Sequence, residues 1–405
     1  MCRGGVFFVL VVHLIICHIA ESMIKTKVCI VGGGIHGASV AYHLSLLSSP
    51  PEITIIERSK GSSASYKSGG FLAREWGSGS TIQLHRKSFD LHEKLAEDLS
   101  LTSFRRIPVV GVSQQDGPAA PSWLDGVATT EEMAGPAAQV TPAELTSRMI
   151  EEAVKKGAKV IEDIATGCET EPDGKVKGIK TANSGIVDCD KMIITLGTWS
   201  GVVCEDWFQS PIPMQGIKST SVVYNDIPEI RAEPYAAFCD EDNFSCHLEL
   251  YPRPDGSLYI CGCGGSDYVS GDRLRAGGDC YDPADIKEDP KRVVAATKAL
   301  GYMSNTFASK YKPSQAQACM RPCPQDGLPV MSEIPGYEGA YVSAGHNCWG
   351  ILWAPIAGKA MSELMMSSDN NQSTLDLSPF HISRFFSTKK GRGKKVGDAP
   401  IGEQW

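Results

Sequence analysis

The sequence has no excess of positive charge. Its 405 residues include 39 Lys and Arg against 47 Asp and Glu, which gives a formal net charge of −8 and a pI near 5.7. Proteins that attract nucleic acid or anionic lipid through an overall basic field have the opposite balance. We therefore expect no nucleic-acid partner.

The cysteines lack the spacing of a metal site. Although 14 are present, no CxxC pair occurs, and neither a metal-ligand cluster nor a Ser–His–Asp arrangement is evident. Free buried thiols, which suit a reducing compartment, are the expectation for most of them. Cys261 and Cys263 alternate along a predicted strand, which would place both side chains on one face.

The apolar run at residues 6–20 is too short for a comfortable membrane span of about 20 residues. It follows Arg3 and precedes the small residues Ala20 and Ser22, a pattern typical of a signal peptide over residues 1–22. Two alternatives stay open: an uncleaved anchor with weak membrane association, or an extension on an intracellular enzyme. The location is accordingly open between the cytoplasm or endosomes and the secretory pathway.

The remaining composition is that of a globular protein, with 42% hydrophobic and 21% charged residues. This mix excludes a disordered chain, a collagen and a coiled coil, and the length suits about two domains. No internal repeat is present. The basic residues of the stretch 387–405 are interleaved with glycine, which predicts a flexible tail or, alternatively, a targeting or membrane-surface patch.

A glycine-rich turn carries the strongest motif. Residues 26–31 predict a buried strand, residues 38–47 a helix and residues 52–57 a second strand, which together form a βαβ unit. Between the first strand and the helix, Gly32, Gly34 and Gly37 allow a tight turn, close approach of a pyrophosphate and close helix packing. Glu57 ends the second strand, where a carboxylate can accept both ribose hydroxyls. This unit predicts a dinucleotide site.

After the βαβ unit, the sequence predicts further helices and an antiparallel region. Helices are predicted at 141–156, 285–300 and 350–366, and the stretch 211–262 favours antiparallel strands with a hairpin turn at 254–256. A strand followed by glycine and a helix returns near the end. This order predicts a discontinuous nucleotide domain with an inserted substrate domain.

Six sequence segments follow one another along the chain in a recognisable order. They are VGGGIHGASVAYHL, IIER, ASYKSGGFL at 64–72, IITLGTWS at 193–200, RPCPQDGLPV at 321–330 and AGHNCWGILWAPIAGKA at 344–360. Together they resemble the D-amino-acid oxidase family of flavoproteins, in its sarcosine oxidase and glycine oxidase branch. The resemblance implies an α/β fold with a discontinuous Rossmann-like FAD-binding domain, in which helices flank a parallel sheet, and an α+β substrate domain with a mostly antiparallel sheet. We assign the FAD-binding domain to 24–80, 140–212 and 318–386, and the substrate domain to 81–139 and 213–317.

The resemblance also implies which residues contact FAD. The predicted set is Gly32, Gly34, Ile35, His36, Gly37, Glu57, Arg58, Ser65, Ser68, Gly69, Gly70, Ile164, Gly197, Trp199, Cys319, Gly345, His346, Trp349, Gly350 and Ile351. The helix that opens at Ile351 would direct its N–H groups at the flavin edge that becomes negative on reduction. Cys319 stands where sarcosine oxidases carry a cysteine bound covalently to flavin, and both a covalent link and a free thiol remain open.

Four residues are predicted to act on the substrate. Arg321 occupies the R-P-x-x-x-D-G-x-P context in which glycine-oxidase-like members bind the substrate carboxylate, and a guanidinium suits that role. Glu249 and Tyr251 share one face of a predicted strand. Glu249 departs from the tyrosine of glycine oxidase and would hold a substrate ammonium. His346 lies on the late flavin turn.

The resemblance implies an enzyme that oxidises a small amino acid or secondary amine to an imine. Hydride passes to flavin N5, and O2 or another acceptor reoxidises the flavin. One alternative is a flavin dehydrogenase that passes electrons to a protein or quinone. Another is a flavin-loaded scaffold without catalysis, acting in membrane traffic or complex assembly.

Overall fold

A computed structural model describes residues 25–113, 117–367 and 373–386. The predicted leader at 1–22 and the basic tail at 387–405 lie outside the described residues. Within the described ranges, no helix has the length and apolar character needed to cross a membrane.

A parallel sheet begins with the predicted βαβ unit. Its strands are β1 (Lys27–Val31), β2 (Glu52–Glu57), β8 (Lys159–Glu162), β12 (Lys191–Ile194), β19 (Val330–Glu333) and β20 (Ala340–Ala344). They lie in the order β19-β20-β12-β1-β2-β8, and all neighbours are parallel except β19 and β20. The strands therefore come from three separated stretches of sequence.

Four helices share one hydrophobic core with this sheet: α1 (Ile35–Ser45), α3 (Ile82–Asp98), α4 (Pro142–Lys155) and α10 (Gly350–Met366). Helix α1 is buried along nearly its whole length, between α4 and α10, while α3 packs on α10. Gly358 allows α10 to approach α1 closely, because a Cβ at this position would lie only 2.1 Å from Ser39 Oγ. The helix predicted at 350–366 is confirmed, and the one predicted at 141–156 is confirmed to within one residue at each end.

The second large sheet is mostly antiparallel. Its strands are β5 (Val109–Ser113), β6 (Ala128–Glu132), β13 (Met214–Tyr224), β14 (Ala236–Cys239), β15 (Glu249–Pro252), β16 (Leu258–Cys261), β17 (Asp267–Val269) and β18 (Gln315–Pro324). The order is β17-β13-β16-β15-β14-β5-β6, with β18 paired to β13 over ten residues and β14 parallel to β5. The predicted boundary at residue 318 falls inside β18, and the division into two domains stays a proposal.

Shorter elements complete the described chain. Two three-stranded sheets contain β3 (Phe71–Ala73), β7 (Ala137–Gln139) and β4 (Arg105–Arg106), and β9 (Ala165–Thr170), β10 (Val176–Thr181) and β11 (Ile186–Asp188). The remaining helices are α2 (Ala64–Lys67), α5 (Ser200–Phe208), α6 (Pro228–Ala232), α7 (Gly271–Leu274), α8 (Pro290–Met303) and α9 (Asn305–Lys310).

Two local predictions are wrong. The helix expected from 285 begins at Pro290 because the Asp289 side chain caps it, accepting a hydrogen bond from the Lys291 N–H at 2.8 Å. Cys261 and Cys263 do not share a face. Gly262 between them has φ +69°, which ends the strand's alternation, so Cys261 faces Glu249 while Cys263 packs with Cys246 in a separate core.

Candidate active site

The carboxyl ends of the five parallel strands meet at one edge of the parallel sheet. Each of these strands ends on, or within three residues of, a residue predicted to contact the cofactor. These residues are Gly32 after β1, Glu57 at the end of β2, Ile164 after β8, Gly197 after β12 and Gly345 after β20. Ligands of open α/β sheets bind outside this edge. The topology thus brings together residues that are up to 313 positions apart in sequence (345 − 32).

The glycine turn leaves no room for side chains. Gly32 has φ +105°, and a Cβ on Gly37 would lie 1.9 Å from the Gly32 carbonyl oxygen. Helix α1 has no side-chain cap at Gly34, although the Ile35 N–H donates to Ser65 Oγ at 2.8 Å. The turn therefore exposes backbone at a helix N-terminus, as an anion requires.

Glu57 lies directly beside this turn. Its Oε2 accepts a hydrogen bond from the Gly33 N–H, and its Oε1 accepts one from the Ser59 N–H at 3.1 Å. Burial raises the pKa of Glu57, and these backbone hydrogen bonds oppose the rise. The neighbouring Arg58 turns away, forming a 2.7 Å ion pair with Asp282 and stacking over Tyr281 at 4.5 Å.

The two predicted flavin segments contact each other through stacked histidines. The rings of His36 and His346 have centroids 3.6 Å apart and planes 18° apart. Burial lowers the pKa of His36 to about 3 and that of His346 well below its ordinary value, so both rings are neutral at pH 7. Neither ring nitrogen of His346 has a partner within the described ranges. Trp199 takes no part in this stack, and its indole N–H donates a hydrogen bond to the Cys280 carbonyl oxygen at 3.1 Å.

An aromatic wall closes one side of the site. Phe71 stacks on Tyr251, with centroids 5.3 Å apart and planes 4° apart, and Phe238 packs against Phe71 at 5.3 Å. Trp76 reaches both Phe238 at 5.2 Å and Trp349 at 6.1 Å. These five rings link strand β15 to the loop before α10.

The antiparallel sheet presents the other predicted residues on a single face. Tyr251 pairs with Tyr259, which pairs with Val223, which in turn pairs with Gln315. Because side chains alternate along each strand, this register places Glu249 on β15 and Cys319 and Arg321 on β18 on the same face. Ser68 and Gly69 approach that face, since Arg253 Nη2 donates to the Ser68 carbonyl oxygen at 3.2 Å and a Cβ on Gly69 would lie 2.6 Å from Tyr251. Gly70 faces away from it, because its Cβ would meet the Val140 carbonyl oxygen.

This face carries two opposite charges, Arg321 and Glu249, that do not form an ion pair. Arg321 is half-buried, its Nη2 donates to Ser219 Oγ at 3.5 Å, and its Nε has no partner in the part of the chain that is described. Burial lowers the pKa of Arg321, but Cys348, Cys323 and Glu249 together raise it above its ordinary value. Arg321 therefore remains a cation that faces Glu249 and contacts no carboxylate among the described residues.

The comparisons with known proteins agree on one family. Residues 27–364 match the family described as FAD dependent oxidoreductase (DAO). The chain belongs to the DAO family of FAD-dependent oxidoreductases. It is an enzyme of that family, and its cofactor is FAD.

Individual DAO relatives are distant. An oxidoreductase of Schizosaccharomyces pombe is 25% identical over 396 residues, covering 87% of this chain and 97% of the relative. Glycine oxidase of Bacillus subtilis is 25% identical over 250 residues, covering 60% of this chain and 58% of the relative. The crystal structure of glycine oxidase from Geobacillus kaustophilus has a TM-score of 0.70 at 20% identity, over 89% of this chain and 99% of that chain. That likeness shows the fold.

The DAO cofactor fits the residues that meet at the sheet edge. Ser63 Oγ and Ser68 Oγ are buried without partners among the described residues, so a bound group would supply the hydrogen bonds they lack. The N-termini of α1 and α10 both lack side-chain caps. Phosphates would suit the first of these helix ends, and the flavin edge that gains negative charge would suit the second.

Several residues near the site were not predicted. Cys261 lies opposite Glu249, Phe238 and Trp76 form part of the aromatic wall, and Cys348 and Lys67 lie close to Arg321 and Cys319 respectively. Lys67 and Cys348 had a signal in the sequence, because they lie inside the segments 64–72 and 344–360. Cys261 had one as well, since counting outward from the turn at 254–256 pairs residue 249 with residue 261.

Proposed function

We propose that this enzyme oxidises a small amino acid or secondary amine to its imine and passes the electrons to O2. The supporting observation is the pair of separated charges, Arg321 and Glu249, on a face shared with an aromatic wall. FAD, when bound, accepts a hydride from the substrate's α-carbon at its N5 atom. Relatives named glycine oxidase favour both an amino-acid substrate and O2 as acceptor.

Each side chain has a defined part in this proposal. The Arg321 guanidinium binds the substrate carboxylate with two parallel hydrogen bonds. Glu249 faces the amino group, so that a zwitterion satisfies both charges. Tyr251 and the rings stacked around it exclude water and orient the α-carbon. His346, neutral and joined to His36, holds the late loop against the glycine turn.

An anaerobic screen of amines and amino acids tests the proposal. The purified holoenzyme is mixed with each compound while the flavin band near about 450 nm is followed. We expect bleaching by at least one amino acid or secondary amine, and peroxide formation when air is admitted. Bleaching without peroxide would point to a dehydrogenase, and no bleaching by any amine would refute the proposal.

Arg321→Ala sharpens the test. Loss of a buried partner for a carboxylate costs about 3–5 kcal/mol, so kcat/KM for an amino acid should fall by about 100-fold or more. An amine without a carboxylate should lose far less. Arg148→Ala is the matched control, because Arg148 is an exposed residue whose ion-pair partner among the described residues is Glu151. Equal losses for both substrate types would contradict a carboxylate-binding role.

A further inference from the structure

The Glu249 carboxylate has one occupied and one free oxygen. The Tyr251 hydroxyl and the Cys261 thiol both donate to Oε2, the thiol at 3.3 Å. Oε1 receives no hydrogen bond from the residues that the structure describes. Glu249 is half-buried, whereas Leu250 and Tyr251 beside it are buried. Oε1 is therefore the carboxylate oxygen that remains available to a ligand.

The two donors to Oε2 stay protonated. Burial, followed by the charge of Glu249, raises the pKa of Tyr251 and of Cys261 well above their ordinary values. Neither group can take up a proton from a substrate, and both stabilise negative charge on Oε2. The basic oxygen at this position is therefore Oε1.

Among the described residues, one cation acts on Glu249. The ionisable groups that interact with it electrostatically are Tyr251 on β15, Cys261 on β16 and Arg321 on β18, which share its face, then Cys348 before α10, and finally Cys239 and Cys263, which lie in the separate core. Burial raises the pKa of Cys239, Cys261 and Cys263, and dehydration of the thiol raises the pKa of Cys348, an exposed residue, to about 11, so all four thiols are neutral at pH 7. Arg321 acts on Glu249 from beyond ion-pair distance, and the described residues leave the carboxylate without a contacting cation.

We propose that Glu249 Oε1 accepts a proton from the substrate's ammonium group and is a catalytic base of this enzyme. The N–H bond breaks, an O–H bond forms on Oε1, and the electron pair stays on nitrogen. The ammonium becomes a neutral amine and the carboxylate becomes a carboxylic acid. The inference rests on the proposed function, since it assumes that the substrate is an amine. Its consequence is that the enzyme binds the abundant protonated amine and not the scarce free amine.

The pH dependence of flavin reduction tests this role. Holoenzyme is mixed anaerobically in a stopped-flow instrument with saturating amounts of the amine that bleaches the flavin most rapidly. In Glu249→Gln the rate at pH 7 should fall by about 100- to 10,000-fold. It should then rise about tenfold for each pH unit up to the pKa of the amine, because only free amine reacts. The unaltered enzyme should show no such rise.

Two variants separate chemistry from structure. Glu249→Asp keeps a carboxylate, and it should recover part of the rate and the flat pH profile even if Glu249→Gln folds poorly. Glu241→Gln is the matched control, because Glu241 is an exposed residue outside the site. A Glu249→Gln enzyme with the rate and pH profile of the unaltered protein would overturn the inference while leaving amine oxidation established.

Failure of the proposed function gives a different result. If no amine bleaches the flavin, binding of tetramethylammonium to the holoenzyme is followed through the flavin spectrum. The inference requires that this cation binds at least about tenfold more weakly to Glu249→Gln. Absent binding, or equal binding to both proteins, would overturn it.

Discussion

The two sheets contribute to the candidate site in different ways, the parallel sheet chiefly through backbone groups and the antiparallel sheet through side chains. At the edge of the parallel sheet the contacts come from backbone: the glycine turn, the loop at Gly345 and the uncapped ends of α1 and α10. On the antiparallel sheet they come from side chains, chiefly Glu249, Tyr251 and Arg321. A backbone site suits a cofactor common to a whole family, and we propose that the side chains of the other half select the substrate.

The two halves also tolerate change differently. A Cβ at several glycines of the first half would meet backbone atoms, which cannot move aside. On the second half, Glu249 and Arg321 are only half-buried and their side chains take no part in the backbone ladder of β13, β15, β16 and β18, whereas Tyr251 is packed between Phe71 and Tyr259. Substitutions in the first half should therefore remove cofactor and stability together, and those of Glu249 or Arg321 in the second half should change chemistry alone.

Gly37→Ala should have the largest effect. Its Cβ would lie 1.9 Å from the Gly32 carbonyl oxygen, so the turn and α1 must separate. We expect a loss of at least about 3 kcal/mol in the free energy of unfolding, and loss of bound flavin. Urea unfolding and the ratio of flavin to protein absorbance measure both.

Gly301→Ala is the matched control on the other side of the molecule. Gly301 lies in α8, where a Cβ would meet Ala308 at an ordinary 3.5 Å. The variant should retain flavin and gain about 0.5–1 kcal/mol, because alanine favours the helix. Full flavin content in Gly37→Ala would contradict the tight turn.

The same contrast explains what the sequence reveals. The βαβ unit, Glu57 and the loop before α10 are local patterns, so their positions at the sheet edge could be predicted. The relation of Arg321 to Glu249 could not, because β13 and β16 lie between their strands and only long-range register sets it. The Cys261 prediction failed for a local reason, the positive φ of Gly262, which strand alternation does not anticipate.

Acid should weaken the parallel-sheet side through its buried histidines. Burial lowers the pKa of His43 and His92 to about 4, and His92 Nε2 bonds the Ile351 and Leu352 carbonyls at 3.1 Å. Since the unfolded chain takes up these protons near pH 6.5 and the folded chain does not, stability falls as the pH drops from 6.5 towards 4. Each histidine lowers the free energy of unfolding by up to about 1.4 kcal/mol for every pH unit of this fall.

His92→Gln isolates that contribution. Glutamine keeps a donor for the two carbonyls and cannot titrate. The difference in unfolding free energy between the variant and the unaltered protein should be constant from pH 7 to 9 and should shift in favour of the variant below pH 6.5. A difference that is independent of pH down to pH 4 would show that His92 is not buried as a neutral ring.

Lys67 tests the reaction with O2. It is half-buried beside Cys319, and burial lowers its pKa, an effect that a thiolate at Cys319 would oppose. A cation here would favour electron transfer to O2, so Lys67→Met should slow flavin reoxidation by about tenfold or more. Lys60→Met, which changes an exposed lysine, is the control. Reoxidation is measured by mixing reduced enzyme with aerated buffer, and an unchanged rate in Lys67→Met would remove Lys67 from this step.

Cys319 should have the smallest effect, because we expect its thiol to remain free. Formation of a flavin–cysteine bond needs a thiolate, and burial raises the pKa of Cys319 even though Arg321 and Lys67 oppose the rise. Acid precipitation of the holoenzyme should then leave the yellow colour in the supernatant, and Cys319→Ser should bind the same amount of flavin. A yellow pellet that becomes colourless in Cys319→Ser would show a covalent bond. In that case a side chain of the antiparallel sheet would hold the cofactor as firmly as the backbone of the parallel one.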